Sequence, residues 1–198
     1  MRKGLLGVLM MGLLLLPACG AEGGVSPEEE LALAIRGEYL AMTGCTAQLS
    51  VAADYGQRVY EFELDAAVSG EETVLTVTAP ELIAGVTART AGKEGALEYD
   101  GVILDTGELG PDGLSPMSAF PALLAAARSG FITTCSMEER EGKELLRVAC
   151  GEPDGTAGQG VETVLWFQPD THALTEGEIL VEGLRVIRCQ CKNFLVTA

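Results

Sequence analysis

Apolar residues recur along this chain at two periods. From Leu31 the period is helical, with Leu31, Ile35, Tyr39 and Met42 on one face. Ser26 and Pro27 precede that run and Glu28, Glu29 and Glu30 open it. They supply a cap, a first-turn proline and carboxylates at the positive end of the helix dipole. Gly44 is expected to end the helix. From Cys45 the period falls to two. Cys45, Ala47, Leu49 and Val51 alternate with Thr46, Gln48 and Ser50. Beyond Asp54-Tyr55-Gly56, Tyr60, Phe62 and Leu64 alternate with Val59, Glu61 and Glu63. These are strands with one face inward, and 73–79 is a third after Ser69-Gly70.

The pattern predicts a one-turn interruption over 80–85 and a return to strand over 86–90. Residues 96–104 read as two short strands around Asp100-Gly101, a strong two-residue hairpin signal. A Gly- and Asp-rich loop, 105–115, leads to a helical stretch that Ser115-Pro116 opens and Gly130 stops. Pro121 is expected to split it into a short turn and a helix. Five further strand runs follow: 131–137, 143–150, 161–168, 174–182 and 184–196. The tally is about eleven strands, one N-terminal helix and one mid-chain helix. A meander of that length must curl or close to hide its apolar face, and the two helices are available to cover its open side.

The start of the chain follows neither period. Arg2 and Lys3 precede an uncharged apolar run from Gly4 to Leu16. That run is shorter than the roughly 20 residues a bilayer span needs. A basic start, a short apolar core and small residues at its end mark an export signal. Leu16-Pro17-Ala18-Cys19 resembles the lipobox of bacterial lipoproteins, although Pro17 is an unusual choice within it. The resemblance implies cleavage before Cys19 and acylation of its thiol. Residues 1–18 are then a lipoprotein signal peptide, 19–25 a lipidated tether, and 26–198 a single domain. The protein is expected outside the cytoplasm, held to the cell membrane through Cys19.

Cleavage would remove 18 of 198 residues, leaving 180, and two of 13 basic residues, leaving 11 against 29 acidic ones. The mature net charge is therefore −18. So acidic a surface disfavours nucleic acid and anionic headgroups, which leaves the lipid as the membrane attachment.

Chemistry is sparse. The single histidine, His172, falls in a turn between 169 and 173. There is no Cys-x-x-Cys pair, histidine cluster, phosphate-binding loop, dinucleotide fingerprint or Gly-x-Ser-x-Gly motif. No enzyme, metal site or cofactor is expected. Cys45, Cys135, Cys150, Cys189 and Cys191 all sit on apolar strand faces, and five is an odd number. They read as small buried hydrophobes rather than a disulfide framework.

The candidate binding residues are the inward positions of the strands. Tyr60, Phe62, Leu64, Leu75, Val77 and Tyr99 come from the first half of the chain. Leu146, Val148, Leu165, Phe167, Ile179 and Val181 come from the second. They line either one concave cavity or, if the helices fill it, an ordinary core.

The order of elements is similar to the periplasmic lipoprotein-carrier (LolA/LolB-like) family, over nearly the whole mature chain. The residues that carry the resemblance are Pro80 to Gly85, Leu97 to Gly101, Ser115-Pro116 with Pro121, Leu165 to Phe167, Glu178-Ile179 and Gly183 to Ile187. Because of its lipobox the chain looks nearer to the family's membrane-anchored receptor or to its Gram-positive relatives, and more closely it looks like the half-barrel lipoproteins of clostridia-like Gram-positive bacteria, which include germination lipoproteins. The resemblance implies an α+β fold, an incomplete antiparallel barrel of about eleven strands plugged by two helices. It implies a basic residue within the cavity, for which Arg58 and Arg89 are candidates by position. It also implies binding of an acyl chain, lipid or lipoprotein. The alternative it leaves open is a non-catalytic partner protein that binds and regulates an envelope enzyme.

Overall fold

The structure, a computed structural model, describes residues 24–92, 94–156 and 158–197. The expected signal peptide, Cys19 and most of the expected tether lie outside the described residues. Helix α1, Pro27–Ala41, begins as its sequence predicts. Ser26 Oγ accepts from the Glu29 amide and the Glu29 carboxylate accepts from the Ser26 amide, so two unpaired amides of the first turn are satisfied reciprocally.

The strands are β1 Gly44–Asp54, β2 Val59–Ser69, β3 Glu72–Ala79, β4 Thr87–Ala91, β5 Glu94–Tyr99 and β6 Val102–Asp105. Helix α2 is Pro116–Ser129. It is followed by β7 Phe131–Arg140, β8 Lys143–Gly151, β9 Val161–Phe167, β10 Leu174–Val181 and β11 Leu184–Thr197. A 3-10 turn, Glu81–Ile83, forms the interruption between β3 and β4. All eleven strands join one antiparallel sheet in the order β6-β5-β4-β3-β2-β1-β11-β10-β9-β8-β7. The sheet is curled and unclosed, with β6 and β7 as its two edges. The expected incomplete barrel with two helices is therefore the observed architecture.

Two meanders, β1 to β6 and β7 to β11, are welded at the centre by β1 and β11. That ladder runs from Gly44 opposite Thr197 to Ala53 opposite Ile187, with one bulge between Thr46 and Gln48. The inward faces of Leu49, Leu64, Leu75, Leu146, Leu165, Ile179 and Ile187 merge with Ile35, Phe120 and Leu123 of the helices into one core.

Pro121 departs from its expected role. It does not divide the helix; α2 runs through it. The ring removes one backbone donor near the start of the helix. Ala119, Phe120, Leu123, Leu124 and Ala127 are buried against the sheet, and that packing outweighs the missing bond.

Candidate functional site

The concave face is divided into a closed part and an open part. Helices α1 and α2 lie against each other, α1 also against β7 and β8, and α2 against β1, β9, β10 and β11. Two arginines fasten them. Arg36 of α1 donates to the Gly130 carbonyl at the end of α2, at 2.6 Å. Arg128 of α2 donates to the Tyr39 carbonyl near the end of α1, at 3.1 Å. Each helix thus places a cation at the negative end of the other. Tyr39 then ties α1 to the sheet. Its hydroxyl donates to the His172 carbonyl at 3.0 Å and accepts from the Leu174 amide at 2.9 Å. Its ring meets Phe167 edge-on, with 5.4 Å between centroids.

Leu64, Leu75, Val77, Leu146, Val148, Leu165, Phe167 and Ile179 are all buried, in one packed cluster with the helices. Phe62 and Val181 are half-buried. Tyr60 and Tyr99 are exposed. The structure therefore brings eight of the twelve together as core. The recesses present among the described residues are lined mainly by other side chains.

One such recess has a volume of about 540 Å³ and lies between α2 and the ends of β2 to β5. Val68, Thr73, Thr90, Leu109, Ala122 and Leu124 line it, together with Glu71, Glu94, Glu108 and Arg128. Another, about 520 Å³, is an apolar groove on the open part of the sheet. It is lined by Leu82, Ile83, Val86, Leu97, Tyr99, Val102 and Leu104, with Glu98 and Asp100. Of the twelve residues expected from sequence, Tyr99 reaches this groove. Its neighbours escaped notice because β6 is four residues long and carries three consecutive apolar side chains, which hides the period of two.

Arg58 is exposed before β2, and Arg89 points away from the core toward Glu72 at 3.6 Å and Glu98 at 3.5 Å. Neither supplies a cation inside the half-barrel. His172 Nδ1 lies 2.9 Å from Glu38 Oε1, joining the β9–β10 turn to α1. Among the described residues no three potential metal ligands converge, and no helix is long and apolar enough to cross a membrane. The five cysteines after Cys19 are free thiols. Burial pushes Cys45 and Cys150 up to about 11, from an ordinary value of 9.0.

The convex face holds a feature that the alternation concealed. Leu145, Ala149, Val164 and Trp166 are buried there in a small cluster of their own. Arg140 lies 4.1 Å from the centre of the Trp166 ring, and the indole N–H donates to Glu138 at 3.2 Å. The signal was present in the sequence as Val164-Leu165-Trp166-Phe167, an unbroken apolar run that implies burial on both faces.

The sequence matches no family model and no curated protein. Its fold is shared with solved structures at low identity. An uncharacterised conserved protein of Thermus thermophilus superposes with a TM-score of 0.52 at 8% identity, over 85% of this chain and 86% of that one. A LolA superfamily protein of Nitrosomonas europaea gives 0.42 at 7%, over 86% and 94%. The structure of the CwlD amidase of Clostridioides difficile in complex with the GerS lipoprotein gives 0.41 at 15%, over 86% and 96%. The likeness is one of fold, and its spread does not single out clostridia-like relatives.

Proposed function

We propose that the chain is a non-catalytic module of the cell envelope, held to the membrane by a lipid on Cys19, that acts by binding a protein partner. The observation that carries this reading is the division of the concave face. The part that would hold an acyl chain is packed with Ile35, Tyr39, Phe120 and Leu123, all fully or nearly fully buried. The apolar surface left free lies beyond the helices, around β4 to β6.

The test is native mass spectrometry with lipid extraction on residues 20–198 expressed in a bacterial envelope. The expected result is a bare polypeptide mass that takes up no added fatty acid or lipopeptide. A stoichiometric acyl lipid would overturn it in favour of the second reading, a lipid carrier. The recess beside α2 supports that second reading, because an outward swing of α2 would widen it. The anchor has its own test: Cys19→Ser is expected to abolish labelling by a palmitate analogue and to move the protein out of the membrane fraction.

A further inference from the structure

We propose that the free edge of β6, with the apolar groove beside it, docks an extended apolar segment of a partner protein flanked by lysine or arginine. The docked segment is a twelfth strand of the sheet. This site rests on the partner-binding reading above and gives it a location and a partner chemistry.

The edge is open by topology, since β6 ends the strand order. Its hydrogen-bonding direction follows from the hairpin. Asp100 and Gly101 both have positive φ, 50° and 76°, as a two-residue type I′ turn requires. Such a turn makes Tyr99 and Val102 a hydrogen-bonded pair, and bonded pairs alternate along an antiparallel ladder. Ile103, opposite Glu98, and Asp105, opposite Ala96, are then non-bonded positions. The Thr106 amide donating to the Gly95 carbonyl at 2.8 Å keeps that alternation. Ile103 and Asp105 therefore turn their N–H and C=O groups away from β5, toward an edge that no strand among the described residues pairs with. A peptide strand would satisfy them.

Side chains agree with the backbone. Val102, Ile103 and Leu104 are 69%, 66% and 61% exposed, and Leu82 across the groove is 90% exposed. Val102 and Leu104 face the groove with Leu97 and Tyr99, and Ile103 faces the other side. Edge strands are ordinarily guarded by lysine, proline or a covering element. β6 is short and ends at Asp105, but residues 102–104 themselves carry neither charge nor proline, and no described element covers them. An incoming strand would bury alternate side chains in the groove while its main chain pairs with β6.

Charge selects the occupant. Asp100 lines the groove, Glu81 and Asp105 adjoin it in sequence, and Glu98 borders it through β5 while its carboxylate lies on the Ile103 face, against Arg89. Arg89, on β4 beside them, is already paired with Glu72 and Glu98. A second copy of this chain would bring the same carboxylates together between two strongly acidic bodies. An anionic lipid surface would be repelled in the same way. A segment with basic flanks is complementary.

The experiment places a photo-crosslinking residue at Leu82 or Ile103 of the full-length protein in the cells that make it. Leu40 on α1 and Leu195 on β11, two other exposed apolar positions, carry it in parallel. The expected result is a protein adduct at Leu82 and Ile103 whose crosslinked segment is apolar and bordered by Lys or Arg. The Leu82 adduct is expected to disappear in Leu104→Asp and in Ile103→Lys. Both side chains are mostly exposed, so an unchanged melting temperature confirms that each variant folds. Adducts from Leu40 or Leu195 alone would overturn the site and leave the partner-binding reading standing. An adduct at β6 with lipid, with a second copy or with an acidic segment would overturn the partner chemistry. No protein adduct at any position would overturn the site and the partner-binding reading together.

Discussion

Tyr39 joins α1 to residues more than 130 positions away through one oxygen. Tyr39→Phe leaves the Leu174 amide and the His172 carbonyl without that partner, at a cost of about 1–3 kcal/mol. The expected outcome is a lower urea midpoint with an unchanged slope. Burial also lifts the tyrosine hydroxyl well above its usual range. The thiols give a pH dependence of definite sign. Cys45 and Cys150 hold their protons to about 11 in the fold and to 9.0 when solvated. Above the lower value the unfolded chain sheds those protons while the folded chain keeps them. Their contribution is complete below pH 9.0 and is lost as pH rises toward 11. A lower urea midpoint at about pH 10 than at about pH 8 checks this. Helical spacing alone placed Tyr39 on a buried face. Its partners lie in a turn 133 residues away, and no local pattern reveals them. Arg36 and Arg128 were hidden for the same reason, because in sequence each is an ordinary cation on an amphipathic helix.

At the scale of elements, α2 is seated by size as much as by hydrophobicity. A Cβ added at Gly177 on β10 would lie 2.5 Å from Leu123 Cδ1, and Leu123 is fully buried with no room to retreat. Gly177→Ala is therefore expected to lift the middle of α2 and to destabilise the fold by about 1–3 kcal/mol, read by thermal unfolding. Arg128→Met keeps the aliphatic stem but removes the bond to the end of α1. Faster amide exchange confined to the two helices is its expected signature. The helices and most strands were legible because their capping residues and periods are local properties. Pro121 misled because a break was inferred from one lost backbone bond, whereas five buried side chains set the outcome. Trp166 misled in the opposite sense. Its place between the inward Leu165 and Phe167 implies the outer face, but there Arg140 and Glu138, both on β7, reach across β8 to cover it.

For the whole molecule, the sequence specified how many strands there are and that they curl, but not where the sheet opens. Consecutive hairpins set the order within each meander. The β1–β11 pairing joins residues about as far apart as the domain allows, and it leaves β6 and β7 at opposite edges. Removing residues 184–198 should therefore abolish the fold rather than trim it, with loss of strand signal in circular dichroism. The candidate groove was the least legible part, since it depends on which sheet edge the helices leave bare. The central ladder also governs timing. A core closed by the fourteen residues of β11 cannot lock until that strand has been made. Until β11 pairs with β1 and β10, each meander holds only part of the core, so the domain is expected to gain its rigidity in one step when that seam closes.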